Sequence, residues 1–342
     1  MRKVISIIFN DAHLKDGNEE EVLTSCNHMV KYATDNGIKN LIFAGDFFDS
    51  RSAQRLKVLK TFEKILDNIH NAGLTLYLFA GNHDKTLYSS EESFLDAFKF
   101  HPCVIFNSNI SDIEIEGKKI TLLPFFDDEI LVPIIEKHNG GDVLISHFEM
   151  YGSEHLGKKS EKVEITAKML SKWKRTYLGH YHNTHEITPA IVHLPSLRQN
   201  SYGENNNKGF TLLYDDLSYE IVKGVFKEYK KIKLNIDGKT KVEINNILKK
   251  YELDDRNLRF EVYGDENSLR SLDLDIFKSK NIDAKKMYSK KFEEDVKKVE
   301  IKEPVKKYDS KNILVSLKEF CDLKDYDFNK GSEIIKNFIK NG

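Results

Sequence analysis

Residues 74–86 read LTLYLFAGNHDKT, an apolar run that ends in a cluster of polar side chains. The run at 74–79 carries no charge and predicts a strand buried on both faces of a sheet. Asn82, His83 and Asp84 follow it directly after Ala80 and Gly81. Amide, imidazole and carboxylate groups bind metal ions or transfer protons. The stretch therefore predicts a functional site at the end of a buried strand.

The same pattern occurs twice upstream. Residues 4–9 and 38–43 are also apolar runs of strand length, and residues 19–36 and 53–72 carry apolar side chains at helical spacing. The order strand, helix, strand, helix, strand predicts a parallel sheet with helices covering both of its faces. The chain is therefore expected to be an α/β protein.

Each predicted strand leads into polar residues. Two later apolar runs, at 143–145 and 176–178, do so as well, which brings the number of such strand ends to five. In chain order they read Asn10-Asp11-Ala12-His13, Gly45-Asp46-Phe47-Phe48-Asp49, Gly81-Asn82-His83-Asp84, Ser146-His147 and Gly179-His180-Tyr181-His182. Ligands of open α/β sheets bind outside the carboxyl ends of the strands. We therefore expect these five segments to meet at one site.

The segments contain seven candidate metal ligands: Asp11, His13, Asp46, Asn82, His147, His180 and His182. Imidazole, carboxylate and amide oxygen suit divalent transition metals, and no thiolate is offered. Seven ligands exceed what one tetrahedral ion uses, so the set predicts two metal ions. His180 and His182 are two residues apart and would point to opposite sides of an extended strand, which fits two ions or requires a turn.

Each segment taken alone is more typical of a surface turn than of a metal site. The five together, in order and each at a strand end, favour the metal site. The other seven histidines lack this context and are expected to be surface or structural residues: His28, His70, His101, His138, His155, His185 and His193.

Composition limits the class of protein. With 342 residues and 40% hydrophobic content, the chain is long enough for one large domain and one or two smaller ones. Cys26, Cys103 and Cys321 are scattered, which favours a reducing, cytoplasmic environment over a disulfide framework. The apolar N-terminal run is too short for a signal peptide, and no run has membrane-spanning length. The net charge of −1 neither supports nor excludes a nucleic-acid partner.

The ordered motifs D-x-H, G-D-x-x-D, G-N-H-D, H and G-H-x-H resemble those of the calcineurin-like metallophosphoesterases over residues 4–215. The resemblance implies two β-sheets flanked by helices and a dinuclear metal centre. By position, the first metal would be held by Asp11, His13, Asp46 and His182. Asp46 would bridge to the second metal, completed by Asn82, His147 and His180. Manganese is the activating ion that the resemblance implies, with magnesium, iron or zinc left open.

The resemblance gives His83 and Asp84 catalytic roles. The equivalent of His83 is not a ligand in the family, and it would stabilise the transition state or protonate the leaving 3′ oxygen. Asp84 would orient its ring. Two interpretations of Asp49 stay open, namely a carboxylate at a helix N-terminus and a support for a metal ligand.

Further features resemble the SbcD-type nuclease subunits of double-strand-break repair complexes, in particular the compact versions encoded by tailed phages. They are GDFFDSRSAQR at 45–55, SLRQNSYGENNNKGF at 196–210 and the total length. The likeness implies a manganese-dependent DNA nuclease, acting as a 3′–5′ exonuclease and a single-strand endonuclease on single-stranded DNA and duplex ends. It also implies a homodimer and an SbcC-type ATPase partner.

Three regions are expected. Residues 1–226 would form the metallophosphoesterase domain, and residues 227–300 a small α/β module that, by resemblance, caps the active-site cleft and contacts DNA. Within this module the pattern predicts helices at 242–251 and 269–277 and strands at 258–263 and 282–288. Residues 301–342 would form a linker and two amphipathic helices that bind the ATPase. The stretch 285–307, with nine lysines against five acidic residues, is expected to be a solvated linker more than a DNA-binding patch.

Two other functions stay open from sequence. A phosphoprotein phosphatase or other phosphomonoesterase of the same superfamily would share the metal site, and GDFFDSR has some likeness to the G-D-x-x-D-R-G of that group. The expected cap and C-terminal helices weigh against it. A non-catalytic scaffold of this fold is the second alternative, but all seven candidate ligands and His83 are present.

Overall fold

A computed structural model describes residues 2–155, 158–160, 163–251, 253–278 and 282–288. The strands are β1 (Val4–Phe9), β2 (Asn40–Ala44), β3 (Thr75–Phe79), β4 (Val104–Asn107), β5 (Ser111–Ile115), β6 (Lys118–Leu123), β7 (Gly141–Ser146), β8 (Glu154–His155), β9 (Lys158–Lys159), β10 (Trp173–Leu178), β11 (His185–Thr188), β12 (Ile191–His193), β13 (Gly209–Tyr214), β14 (Tyr219–Lys223), β15 (Tyr229–Asn235), β16 (Asn257–Gly264) and β17 (Asp283–Tyr288). The helices are α1 (Glu19–Asp35), α2 (Leu56–Asn71), α3 (Asp128–Lys137), α4 (Ala167–Leu170), α5 (Lys241–Lys249), α6 (Glu266–Ser271) and α7 (Asp275–Lys278), with a 3₁₀ helix at Phe94–Phe98.

The chain divides into two units, Met1–Met287 and Tyr288–Gly342. The two expected C-terminal helices and most of the lysine-rich stretch lie outside the described residues.

The first sheet has six strands in the order β14-β13-β1-β2-β3-β4. β1 to β4 run parallel, β13 pairs antiparallel with β1, and β14 pairs antiparallel with β13 at the edge of the sheet. α1 and α2 pack in the core on one face, where Met29 and Phe62 are fully buried. Burying one such side chain contributes about 1.5 to 3 kcal/mol. The buried residues of α2 lie on one face of the helix, as the helical spacing of apolar residues in its sequence predicts.

The second sheet also has six strands, in the order β11-β12-β10-β7-β6-β5. Its four central strands run parallel, and β11 and β5 pair antiparallel at the two edges. α3 and α4 contribute Leu131, Ile135 and Leu170 to a core that also holds Trp173 of β10.

The two sheets pack against each other through a shared core. Ile8, Ile42 and Phe79 of the first sheet lie in one cluster with Ile145 and Tyr177 of the second. The expectation that helices cover both faces of one sheet is wrong, because each sheet has helices on one face and the other sheet on the opposite face. A strand buried on both faces is apolar whichever element covers it, so its sequence does not distinguish the two arrangements.

A third sheet, β15-β16-β17, has its own core with α5, α6 and α7. We call the described part of residues 229–287 the cap module. β16 alternates strictly between buried and half-buried residues, as the sequence predicts for 258–263. The predicted helix at 269–277 is instead two short helices, α6 and α7, and the sequence did not indicate β15. The domain boundaries at 226 and 300 stay predictions.

Membrane insertion by a helix has no support in the described residues. None of their helices is both long enough and apolar enough to cross a bilayer.

Candidate metal centre

The five polar segments come together at the carboxyl ends of strands from both sheets. β1, β2 and β3 of the first sheet end just before the Asp11, Asp46 and Asn82 segments. β7 and β10 of the second sheet end just before His147 and His180. Because the two sheets pack face to face, their strand ends form the two sides of one site.

The first cluster contains Asp11, His13 and His182. Nε2 of His13 and Nε2 of His182 are 3.1 Å apart, and each lies 3.7 Å from Oδ1 of Asp11. The Asp11 carboxylate is fully buried. Three atoms that could coordinate a metal ion, one carboxylate oxygen and two imidazole nitrogens, therefore lie around one point.

The second cluster contains Asp46, His147 and His180, with Asn82 between the two rings. Nε2 of His147 lies 3.2 Å from Oδ2 of Asp46 and 3.2 Å from Oδ1 of Asn82. Nδ1 of His180 lies 3.0 Å from the same amide oxygen of Asn82. The Nδ1–H of His147 donates to the carbonyl of Ala44 at 2.7 Å, so Nε2 is the nitrogen that faces the cluster.

Asp46 lies between the two clusters. Its Oδ2 is 3.2 Å from Nε2 of His147 and 3.8 Å from Nε2 of His13. Its Oδ1 accepts the main-chain N–H of His83 at 2.8 Å, which fixes the carboxylate plane. This is the position in which one carboxylate can serve two ions.

The acidic groups are ionised in this environment although burial opposes it. Burial raises the pKa of Asp46, but the charge and hydrogen bond of His147 together with the charge of His13 outweigh burial, and the pKa falls to about 2. For Asp11, burial is likewise outweighed by His147 together with the neighbouring His13 and His182 rings, and its pKa lies well below the usual range. Burial, followed by the charge of His147, lowers the pKa of His180 to about 3, which keeps that ring neutral. Ionised carboxylates and neutral imidazole are the forms that bind metal.

These donors fit divalent cations. Oδ1 of Asp11 is buried and has no hydrogen-bond partner among the described residues, an expensive arrangement for a carboxylate oxygen unless a cation compensates it. Burial lowers the pKa of His13, but the neighbouring carboxylates of Asp11 and Asp49, together with the charge of Asp46, outweigh burial and raise the pKa to about 10. The same surroundings that hold a proton on His13 would attract a metal ion. The absence of sulfur among the donors favours manganese, magnesium, iron or zinc over softer metals.

The glycines of the motifs allow the segments to approach each other. A Cβ on Gly45 would overlap the His147 ring, and a Cβ on Gly81 would overlap Oδ1 and the main-chain nitrogen of Asp46. Any other residue at these two positions would push the candidate ligands apart.

The backbone of the site is strained at four of its candidate ligands. Among the described residues, six that are not glycine have positive φ, and Asp11, His13, Asp46 and His180 are four of these. A left-handed conformation at a residue with a side chain costs on the order of 1 to 3 kcal/mol and persists where the surroundings impose it. At His180 this turn separates the two motif histidines, so that His180 joins the second cluster and His182 the first.

Asp84 does not have the role expected from the sequence. Its carboxylate is completely buried and accepts three main-chain N–H groups at 2.9 Å each, from Asp46, Phe48 and Gly81. The Nδ1–H of His83 donates instead to the carbonyl oxygen of Asp49 at 2.6 Å. Asp84 therefore fixes the loops that carry the candidate ligands, and the Asp49 carbonyl orients His83.

His83 is half-buried and lines the cleft above the two clusters. Its ring meets the His13 ring edge to face, with the ring centres 4.9 Å apart. Since Nδ1–H is occupied by the Asp49 carbonyl, Nε2 is the nitrogen available for proton transfer. A nitrogen of His83 also lies within 4.8 Å of donors of His13 and Asp46, so proximity alone does not separate a ligand from a catalytic role.

One of the two interpretations of Asp49 is wrong. α2 begins at Leu56 and its N-cap is Arg55, so Asp49 is not at a helix N-terminus. Oδ1 of Asp49 lies 3.4 Å from Nδ1 of His13 and 3.3 Å from Nζ of Lys15. Asp49 therefore lies beside Nδ1 of His13, the ring nitrogen that faces away from His182, and supports this candidate ligand.

Sequence reasoning missed Glu204. Its Oε1 accepts the Nδ1–H of His182 at 2.9 Å. Burial raises the pKa of Glu204, but this hydrogen bond together with the nearby Lys208 and the N–H of Asn200 outweighs burial and lowers the pKa to about 2. The sequence does contain a signal, because Glu204 is the one charged residue in the stretch 199–207. Composition alone does not show that this glutamate contacts His182. His193, expected to be structural, donates from Nδ1 to the carbonyl of Gly179 and is fully buried.

The cleft has a volume of about 390 Å³. Its lining residues come from both clusters and from two loops above them: His13, Asp46, Asp49, Asn82, His83, His180, Tyr181, His182, Asn200, Ser201 and Glu204. Imidazole rings and polar groups therefore surround whatever binds against the clusters.

Comparison with known proteins identifies the family. A model of the calcineurin-like phosphoesterases matches residues 7–224, more than half of the chain. The chain belongs to the calcineurin-like phosphoesterases. Membership agrees with the two helix-flanked sheets and implies divalent metal ions as cofactors, for which the two clusters are the candidate sites.

Two individual proteins show how similar known relatives are to this calcineurin-like phosphoesterase. Exonuclease subunit 1 of Enterobacteria phage T4 is 28% identical over 187 residues, which are 53% of this chain and 54% of that protein. The chain thus spans about half the length of the curated relative that it matches. A solved structure described as a novel archaeal phosphodiesterase has 19% identity and a TM-score of 0.26, over 48% of this chain and 81% of that one.

Proposed function

We propose that this calcineurin-like phosphoesterase is a metal-dependent DNA nuclease that hydrolyses phosphodiester bonds. The observation that carries the proposal is the pair of donor clusters joined by Asp46 at the base of a cleft that His83 lines. The 28% identity to a phage protein named as an exonuclease subunit supports DNA as the substrate.

In this proposal the first ion is held by Asp11, His13, Asp46 and His182, and the second by Asp46, Asn82, His147 and His180. Two divalent ions so held would supply an activated water and neutralise charge on the phosphate during an in-line displacement. Manganese is proposed as the activating ion because the family resemblance implies it and the site offers carboxylate and amide oxygens without sulfur.

His83 would act as the general acid. With Nδ1–H held on the Asp49 carbonyl, a second proton on Nε2 is the one that can pass to the leaving 3′ oxygen. The main-chain N–H of His83 donates to Oδ1 of Asp46, so His83 keeps a fixed position relative to the candidate bridging carboxylate.

Asp84 would act on the site through the backbone. By accepting the N–H groups of Asp46 and Gly81 on one oxygen, it holds the loop after β2 against the loop after β3. The candidate bridging carboxylate and the Asn82–His83 pair then move as one unit.

The proposal extends to the biological setting. The chain would act as a 3′–5′ exonuclease and single-strand endonuclease, would form a homodimer, and would work in double-strand-break repair and recombination with an SbcC-type ATPase bound by its C-terminal helices. The word "subunit" in the name of the phage relative supports a multi-protein assembly.

The experiment compares three substrates with the full chain in manganese, magnesium or EDTA. They are a 5′-labelled single-stranded oligonucleotide, p-nitrophenyl phosphate and a phosphoserine peptide. The proposal expects shortening of the oligonucleotide from its 3′ end with manganese, none with EDTA, and slow turnover of both monoesters. Asp46→Ala, purified identically, controls for contaminating nucleases. Rapid monoester hydrolysis with intact DNA would establish a phosphomonoesterase, and inactivity on all three would favour a scaffold.

A further inference from the structure

The first cluster is supported by one segment, residues 198–208, which we call the strap segment. Its side chains hold the cluster through five hydrogen bonds: Glu204 accepts from Nδ1 of His182, Asn200 donates to the carbonyl of Asp11, Arg198 donates to the carbonyls of Ala12 and His13, and Lys208 donates to the carbonyl of His182. No hydrogen bond in the described part of the chain joins the strap segment to Asn82, His147 or His180. The two clusters therefore have different supports.

Glu204 determines which nitrogen of His182 faces the cluster. Its side chain is 2% exposed, and its second oxygen accepts the N–H of Asn200 at 3.1 Å and Nζ of Lys208 at 3.2 Å. An ionised carboxylate only accepts hydrogen bonds, so Nδ1 of His182 carries the proton. Nε2 of His182 then faces the first cluster, 3.1 Å from Nε2 of His13.

The strap segment is in turn attached to the cap module. The side-chain amide of Gln199 donates to the carbonyl of Glu204 at 2.8 Å and to the carbonyl of Tyr229 at 3.4 Å, and its oxygen accepts the N–H of Tyr229 at 2.8 Å. Tyr229 begins β15, which lies at an edge of its sheet. Gln199 thus binds the strand where a neighbouring strand would otherwise pair.

Tyr202 makes the second attachment. Its hydroxyl donates to the carbonyl of Leu258 in β16 at 3.2 Å, and the guanidinium of Arg259 lies over its ring at 4.1 Å. Its ring also meets the ring of Tyr229 edge to face, with centres 4.9 Å apart. A displacement of the cap module would therefore pull on the segment that holds His182.

We infer that Glu204 is a positioning residue that sets the affinity of the first cluster for its ion, and that Gln199 couples this affinity to the docking of the cap module. The inference rests on the proposed assignment of the clusters as metal sites. It predicts an asymmetry, because a moved or mutated strap segment weakens the first cluster and leaves the second unchanged. By linkage, an ion in the first cluster must also strengthen the docking of the cap module.

The test titrates manganese into the full chain by calorimetry. Wild type is expected to bind two ions, and Glu204→Gln is expected to weaken one of them by roughly 10- to 100-fold, as the loss of a support for a metal-bound histidine does. Gln199→Ala, which leaves Glu204 in place, is expected to weaken the same ion by about 5-fold or more. Asn207→Ala, at an exposed position of the strap segment, is the control and should bind both ions like wild type.

Hydrogen exchange gives the second readout, which needs no enzymatic activity. Saturating manganese should slow exchange of the Tyr229 amide in wild type and should do so less in Gln199→Ala, since that amide donates to the Gln199 oxygen. Manganese without effect on this amide in wild type would overturn the coupling.

The calorimetry has three contrary outcomes. Unchanged affinity for both ions in Glu204→Gln would overturn the positioning role, and an equal loss at both would overturn the asymmetry. A wild-type chain that binds fewer than two ions would overturn the two-cluster site and the inference together, and the wild-type isotherm alone distinguishes this case. If Glu204→Gln does not fold, Gln199→Ala and the exchange measurement still decide.

Discussion

Replacing Asp84 tests whether this carboxylate holds the two loops of the candidate metal centre. Asp84→Ala would leave the N–H groups of Asp46, Phe48 and Gly81 without an acceptor in a fully buried place. Each buried unsatisfied donor costs about 1 to 3 kcal/mol, so three of them cost about 3 kcal/mol or more. We expect Asp84→Ala to lower the free energy of unfolding by that amount.

Asp84→Asn separates shape from charge. The amide oxygen can still accept from Asp46 and Gly81, which share one carboxylate oxygen, while the amide nitrogen meets the N–H of Phe48. One donor is lost, at about 1 to 3 kcal/mol. Removal of the charge offsets part of this loss, since burial, followed by the charge of Asp46, raises the pKa of Asp84 to about 7. Asp84→Asn should therefore be clearly more stable than Asp84→Ala.

Urea unfolding in EDTA, followed by circular dichroism and by the single tryptophan, Trp173, measures both effects. Asp35→Ala is the control, because it removes an exposed carboxylate paired with Lys31 and should change stability by about 0.5 kcal/mol or less. Equal stability of Asp84→Ala, Asp84→Asn and wild type would refute the argument. If Asp84→Asn kept full stability but lost turnover as severely as His83→Gln, Asp84 would act on His83 after all.

Three further predictions concern the proposed chemistry. Asp46→Ala should bind neither ion tightly and show no nuclease activity while keeping a wild-type circular dichroism spectrum, and activity above background would count against the shared-ligand geometry. His83→Gln should keep its manganese content and DNA affinity while turnover falls by roughly two to four orders of magnitude, whereas loss of manganese would make His83 a ligand. Deletion of 308–342 should spare manganese-dependent activity on single-stranded DNA but abolish co-purification with an SbcC-type ATPase; retained co-purification would move the partner site elsewhere.

The strands and the residues at their ends were predictable because both signals are local. An apolar run followed directly by polar residues identifies a buried strand and its functional end without knowledge of the fold. β1 has the predicted bounds, and β2, β3, β7 and β10 contain most of the predicted runs. The convergence of the five ends followed from a rule about sheet edges and did not require side-chain geometry.

The roles of Asp84 and Glu204 were not predictable in the same way. Asp84 lies beside His83 in the sequence, which suggested a direct contact, yet its acceptors face the main chain of a loop 36 to 38 residues earlier. Glu204 meets His182 across 22 residues, from a polar stretch without periodicity. Such contacts depend on how the loops are arranged relative to one another, and the sequence pattern within a single loop does not specify that arrangement.

The sequence also left open which elements pack against the two faces of each sheet. Helices and a second sheet both bury apolar strand residues, and only the packing of Ile42 and Phe79 against Ile145 and Tyr177 distinguishes the two. The family resemblance supplied the two-sheet arrangement that periodicity could not.

Anomalous diffraction from crystals grown with manganese tests the central claim most directly. Data collected on both sides of the manganese absorption edge locate the ions without assumptions about activity. Two peaks are predicted, one between Asp11, His13 and His182 and one between Asn82, His147 and His180, with Asp46 in contact with both. A single peak, or a peak coordinated by His83, would contradict the two-cluster account.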